Sequence, residues 1–179
     1  MKVLKTILYT VLALIALLLI TAAFIDGKTY FEKSVSINAS PDKVWQHTNS
    51  LKTMDQWSPW NKLDPNMKKN WTGKTGKVGE KNCWEGNENA GKGCQEVVKV
   101  DHTNKRIDTK IVFLTPFESV NFAHVQVIPE GNGSKATWSF GSEIPYPWTI
   151  TKLMYDLEEL MVEDYQEGLN TLKKLSENP

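Results

Sequence analysis

Few side chains in this 179-residue chain are of the kinds that do chemistry, and their spacing excludes much of it. The three histidines are His47, His102 and His124, and the two cysteines are Cys83 and Cys94. No pair of histidines has metal-ligand spacing, and two cysteines without a nearby histidine do not make a zinc site. No metal and no cofactor is therefore expected. A serine-nucleophile elbow, a phosphate loop and a dinucleotide fingerprint are all missing. His47 falls near the end of a short helix and His102 in an Asp-His-Thr-Asn turn, both solvated settings. His124 shares a strand face with Val120 and Phe122. It is either an acid, base or polar anchor pointing into a cavity, or a hydrogen-bonded structural residue. Cys83 and Cys94 flank the turn Glu88-Asn89-Ala90-Gly91. In one register they face each other and can oxidise outside the cytoplasm; slipped by one residue they are free thiols on opposite faces.

The remaining candidates are rings and thioethers, which bind rather than react. Seven tryptophans are many for this length. The set Trp57, Trp60, Trp84, Phe113, Phe122 and Trp138 suits the wall of a ligand cavity, and equally suits ordinary core packing. Trp57-Ser58-Pro59-Trp60 lies on a loop, as a gate or as a tight turn capped by rings. No basic patch with interleaved aromatics occurs, so a nucleic-acid partner has no support. Basic and acidic residues number 21 each. Setting aside Lys2 and Lys5, the rest carries 19 basic against 21 acidic groups.

Those candidates need elements to position them. Thr6 to Ile25 has no charged residue, and twenty helical residues span roughly 30 Å, the thickness of a bilayer's hydrocarbon core. Residues 1–27 are thus expected to be a membrane anchor, its helix at about 6–25. Lys2 and Lys5 before it and Asp26 after it predict a single pass with the domain, residues 28–179, on the extracytoplasmic side. A cleaved signal ending at Thr21-Ala22-Ala23 is the rival reading.

Tyr30–Ile37 alternates as a strand. Ser40-Pro41 opens a short helix burying Val44 and Trp45, and Leu51–Trp57 gives another helical turn or two that ends at Ser58-Pro59. Gly73, Gly76 and Gly79 punctuate a turn-rich stretch. Strands follow at Cys83–Asn87, Gly93–Val100, Arg106–Leu114, Ser119–Ile128 and Ser134–Ile144, with connections too short for parallel crossovers. Pro147–Leu175 then reads as one long helix, with Ile150, Leu153, Met154, Leu157, Leu160, Met161, Tyr165, Leu169 and Leu172 on one face. A strand, two short helices, an antiparallel meander and a long helix make an α+β fold in which the sheet curls around the last helix.

Certain stretches resemble a known superfamily. Val35-Ser36-Ile37-Asn38-Ala39-Ser40-Pro41-Asp42-Lys43-Val44-Trp45 is similar to the first-strand-to-helix entry of the START-like (SRPBCC, helix-grip) superfamily. That superfamily includes polyketide cyclase/dehydrase-like and birch-pollen-allergen-like proteins. Trp57-Ser58-Pro59-Trp60 with Asp64-Pro65, Gly76-Lys77-Val78-Gly79, Trp84-Glu85-Gly86, Thr137-Trp138 and Asp164-Tyr165-Gln166-Glu167-Gly168-Leu169 resemble a bacterial membrane-anchored branch. The resemblance covers about residues 30–175. It implies a hydrophobic small molecule or lipid held between the sheet and the last helix. The residues expected to line that site are Trp60, Trp84, Phe113, Phe122, His124 and Trp138, with Met154, Leu157 and Met161 from the helix. It implies no catalytic residue, since superfamily members do different chemistries on one fold. Two alternatives stand: a cyclase or dehydratase using His124 or Glu143, and an envelope interaction module with a solid core.

Overall fold

The computed structural model describes residues 2–178. An apolar helix α1 (Lys2–Ala23) leads into β1 (Lys28–Ile37), then α2 (Pro41–Gln46) and α3 (Leu51–Met54). Six more strands follow: β2 (Lys68–Thr72), β3 (Lys81–Glu85), β4 (Lys92–Asp101), β5 (Arg106–Thr115), β6 (Ser119–Glu130) and β7 (Gly133–Glu143). The chain ends in α4 (Leu157–Glu177). The seven strands form one antiparallel sheet in the order β1-β7-β6-β5-β4-β3-β2. The architecture is the α+β helix grip.

Local chemistry explains the joints. Ser40 caps α2 by accepting from the Lys43 N–H, and Pro41 supplies a first helical residue that needs no donor. Ser50 caps α3 in the same way through Thr53. Trp57 is pinned where its indole N–H donates to the His47 carbonyl at 2.8 Å. Glu80, 1 % exposed, accepts from the backbone N–H groups of Lys52 and Gly76 and so ties α3 to the loop before β3.

Two expectations need correction. The stretch before Gly73 contains a strand, β2, whose Lys68-Lys69-Asn70 start has low strand propensity. It forms because β3 offers a free ladder beside it. The long terminal helix does not begin at Pro147. Trp148–Leu153 is a 3₁₀ helix, and α4 starts afresh after Asp156, whose carboxylate accepts from the N–H groups of Glu158 and Glu159. The three-residue repeat of 3₁₀ winding carries an apolar stripe much as an α-helix does, so the periodicity runs unbroken across the break. The stripe nevertheless divides. Tyr165, Leu169 and Leu172 are fully buried, while Leu153, Met154 and Leu160 face out.

The core lies in the concavity of the sheet. Trp138 of β7 stacks on Tyr165 of α4 (ring centroids 4.1 Å apart), with Trp57 and Trp60 edge-on to its ring. Gly168 lets α4 come this close: a Cβ there would sit 2.9 Å from Trp138 Cζ3 and 3.2 Å from Pro59 Cδ. The far end of α4 is fastened to the end of β1, where Lys173 Nζ donates to the Ser36 carbonyl and Asn38 N–H donates to Glu177.

Candidate functional site

Between the concave face of β2–β5, α3 with the 3₁₀ turn Pro59–Lys62, and the first half of α4 lies a cavity of about 310 Å³. Strand alternation decides what it sees. Trp84 on β3 pairs with Gly93 on β4, which pairs in turn with Phe113 on β5, so these three form one row across the sheet. Gly93 has no side chain to compete, and Trp84 lies over it: a Cβ there would be 2.6 Å from Trp84 Cη2. The indole is fixed by its N–H donating to the Ala90 carbonyl at 3.1 Å and by an edge-on contact with Phe113. The next inward row is polar, with Asn82 on β3 facing Gln95 on β4.

Trp60, Trp84, Phe113, Trp138 and Met161 therefore meet around one cavity. The other expected lining residues do not, and the corrections have physical reasons. Phe122 and His124 share a face of β6, but it is the outer one: Asn121, Ala123 and Val125 between and beside them are buried, and Phe122 is exposed. His124 Nδ1 instead meets the Ser139 hydroxyl, whose oxygen also accepts from the His124 N–H. Burial, then the nearby Arg106 charge, lowers its pKa below the usual histidine value. Met154 is 72 % exposed, because the chain leaves the 3₁₀ helix there and is not yet in α4. Leu157, at the first residue of α4, packs against the core but does not reach the cavity. Glu143 is exposed at the end of β7, away from the cavity. His47 and His102 lie outside it too, His102 with its ring against Trp45.

Cys83 and Cys94 occupy directly opposed positions on β3 and β4 and are joined by a disulfide. They sit on the sheet face away from the Trp84–Gly93 row. Among the described residues, no group of three or more His, Cys, Asp or Glu side chains is placed to hold a metal ion.

Sequence reasoning missed the polar part of the site. Lys69 of β2 donates from Nζ to Asp55 Oδ1 and Asn61 Oδ1, both at 2.6 Å, closing the wall between β2 and the α3 loop. Deeper in, the Tyr165 hydroxyl and Asn82 Oδ1 are buried with no hydrogen-bond partner among the described residues. Burial raises the Tyr165 phenol above its ordinary pKa, so it stays a neutral donor. A buried hydroxyl without a partner costs about 1–3 kcal/mol. The cavity wall is mostly apolar, with Asn61, Lys69, Gln95 and Asp164 among its polar lining, and the two unpartnered atoms have no surface open to it. The only advance signal was Tyr165 on the buried stripe of α4, where a phenol stands in place of an aliphatic residue.

A sheet curved around a helix with a mostly apolar cavity between them defines the class: a helix-grip fold of the hydrophobic-ligand-binding kind. The chain belongs to the polyketide cyclase/dehydrase and lipid transport family, whose model matches residues 28–177. No curated protein matches the chain closely enough to report. Among solved structures, a point mutant of Thalictrum flavum norcoclaurine synthase in complex with a transition-state analogue aligns with a TM-score of 0.60 at 14% identity, over 83% of this chain and 94% of that one. A Thermus thermophilus protein aligns with a TM-score of 0.58 at 17% identity, over 83% and 97%. The Panax ginseng major latex-like protein 151 aligns with a TM-score of 0.56 at 18% identity, over 85% and 99%. At these identities the likeness is one of fold.

Proposed function

We propose that this chain is a membrane-anchored binding protein for an amphipathic small molecule, a lipid or a lipid-like compound, held between the sheet and α4. In this reading residues 1–27 are the anchor and residues 28–179 the binding domain. The observation that carries the reading is the cavity itself: Trp60, Trp84, Phe113 and Met161 offer an apolar wall. Its volume is at the lower end of the roughly 300–1,000 Å³ typical of ligand pockets. A ligand with an apolar body fits that wall, and Asn61, Gln95 and Asp164 on the same lining can meet one polar group.

The anchor part rests on α1, which is long and apolar enough to cross a bilayer and is unburied across its apolar window. Lys2 and Lys5 on one side and Asp26 on the other favour the domain outside the cytoplasm. The disulfide Cys83–Cys94 suits that oxidising side.

The test is native mass spectrometry of the full chain ejected from detergent, comparing wild type with Ile111→Trp, which fills the cavity from its floor. Lipid bound to the anchor is common to both proteins. An adduct present in the wild type and lost in the folded variant supports the reading. Identical adduct spectra from the two proteins would sink it.

A further inference from the structure

The end of the domain nearest α1 exposes a cluster of large apolar side chains that the cavity does not use. Phe24, Tyr146, Trp148, Leu153, Met154 and Tyr155 are each more than half exposed, from 56 % at Tyr146 to 86 % at Phe24. Single exposed apolar residues are ordinary, but six in one neighbourhood mark a contact surface.

The backbone places that neighbourhood firmly beside the end of α1. The Thr149 hydroxyl donates to the Ala22 carbonyl at 2.6 Å, and both residues are buried. Lys152 Nζ donates to the carbonyls of Asp26 and Lys28 at 2.8 and 2.7 Å. The Ile144 N–H donates to the Gly27 carbonyl at 3.0 Å. The 3₁₀ helix Trp148–Leu153 is therefore fastened to the last turn of α1 and to the short exit from it. The sheet end agrees. Lys28 pairs with Glu143 at the same end of the strands as the β5–β6 turn, whose Phe117 is 82 % exposed.

We propose that this face is a membrane-docking surface, with the lipid headgroup region of the bilayer that α1 spans as its occupant. The inference rests on the anchor reading. Where α1 leaves the hydrocarbon core, residues bonded to its last turn lie at the level of the interface. There Trp and Tyr rings are favoured, each with an apolar body and a polar tip. The surface is continuous with the bilayer contact of α1 and needs no further partner. Its nearby charges are of both signs, Lys28 and Lys152 against Asp26, Glu143 and Asp156, which suits a zwitterionic lipid surface better than a strongly anionic one. Docking also fixes which way the cavity faces. Trp84 and Phe113 lie near the anchor-side end of their strands, Ala90 in the β3–β4 turn at that end, and Met161 near the anchor-side end of α4, so the cavity occupies the half of the domain next to the lipid.

Trp148 makes the idea directly measurable. It is the one exposed tryptophan of the seven; the others are buried or half-buried in the domain. The full chain is reconstituted in phosphatidylcholine vesicles, with a matched sample in which the acyl chains carry bromine near the headgroup. Docking predicts that brominated lipid quenches wild-type emission and that Trp148→Phe abolishes the quenching while circular dichroism is unchanged. No quenching in the wild type, or quenching that survives Trp148→Phe, overturns the proposal. An alkaline carbonate wash separates the two readings. Chains released by the wash disprove the anchor, whereas chains retained but unquenched disprove only the docking.

Discussion

Gly168 and Trp138 touch because neither leaves room for one more carbon: a Cβ on Gly168 would stand 2.9 Å from the indole. That indole cannot yield, being wedged among Trp57, Trp60 and Tyr165. An exposed helical Gly→Ala change would gain up to about 1 kcal/mol of helix propensity. Here overpacking of about 1–3 kcal/mol opposes it. Gly168→Ala is expected to lower stability by about 1–2 kcal/mol in urea titration, with Gly168→Val worse.

Tyr165→Phe should separate stability from binding. Removing an unpartnered buried hydroxyl leaves the ring stack intact and relieves a desolvated donor. The ligand-free protein is expected to gain about 1 kcal/mol. Retention of the co-purifying ligand, read by native mass spectra, should be unchanged, because the hydroxyl has no surface open to the cavity. A variant that lost stability would mean the hydroxyl has an ordered partner in solution.

The disulfide closes a short loop, with Cys83 and Cys94 separated by 11 residues. In the chain-entropy model such a crosslink stabilises by about 2–3 kcal/mol. The Cys83→Ser/Cys94→Ser double variant is expected to melt lower by a corresponding amount. Reductant should lower the wild type toward the variant and leave the variant where it is. Because the two sulfurs sit on the face away from the cavity, ligand retention should be unaffected.

Stability should fall on mild acidification. Burial lowers the pKa of both His47 and His124, with Lys43 adding to the first and Arg106 to the second. Asp108 and Glu32, which face His124, act weakly the other way. A histidine whose folded pKa lies below its unfolded value takes up more protons when unfolded. Its contribution is therefore whole above the unfolded value of 6.5 and is lost as pH drops from there toward the lowered folded value. The unfolding midpoint in urea should decline between neutral pH and about 5, and the His47→Gln/His124→Gln protein should decline less over that window.

Much of this molecule was legible without coordinates, because its signals are local. Ser40-Pro41 names a helix start by its capping chemistry, and the alternation of Ile107, Ile111 and Phe113 names an inward strand face. The opposition of Cys83 and Cys94 hung on hairpin register, which spacing alone left open by one residue. Other features were hidden by degeneracy. Val120, Phe122 and His124 lie on one face of β6, yet period-two alternation does not say which face is inside when both carry apolar residues. A stripe with three-residue steps reads the same through a 3₁₀ helix as through an α-helix, so the break that Asp156 caps leaves no mark on it. The wall formed by Lys69, Asp55 and Asn61 joins residues from three elements, and nothing local announces it.

The sheet's two outer strands carry a last consequence. β2 is only five residues long, and its exposed Lys68 and Asn70 line the rim, while β1 is overlaid by α4 through Lys33–Glu158 at one end and Lys173–Ser36 at the other. On the proposed anchor reading, the chain diffuses in two dimensions, where neighbours collide far more often than in bulk. Open strand margins would then template chain-to-chain zippering. A short, lysine-bearing margin on one side and a helix strapped over the other leave little open strand for a second copy to pair with.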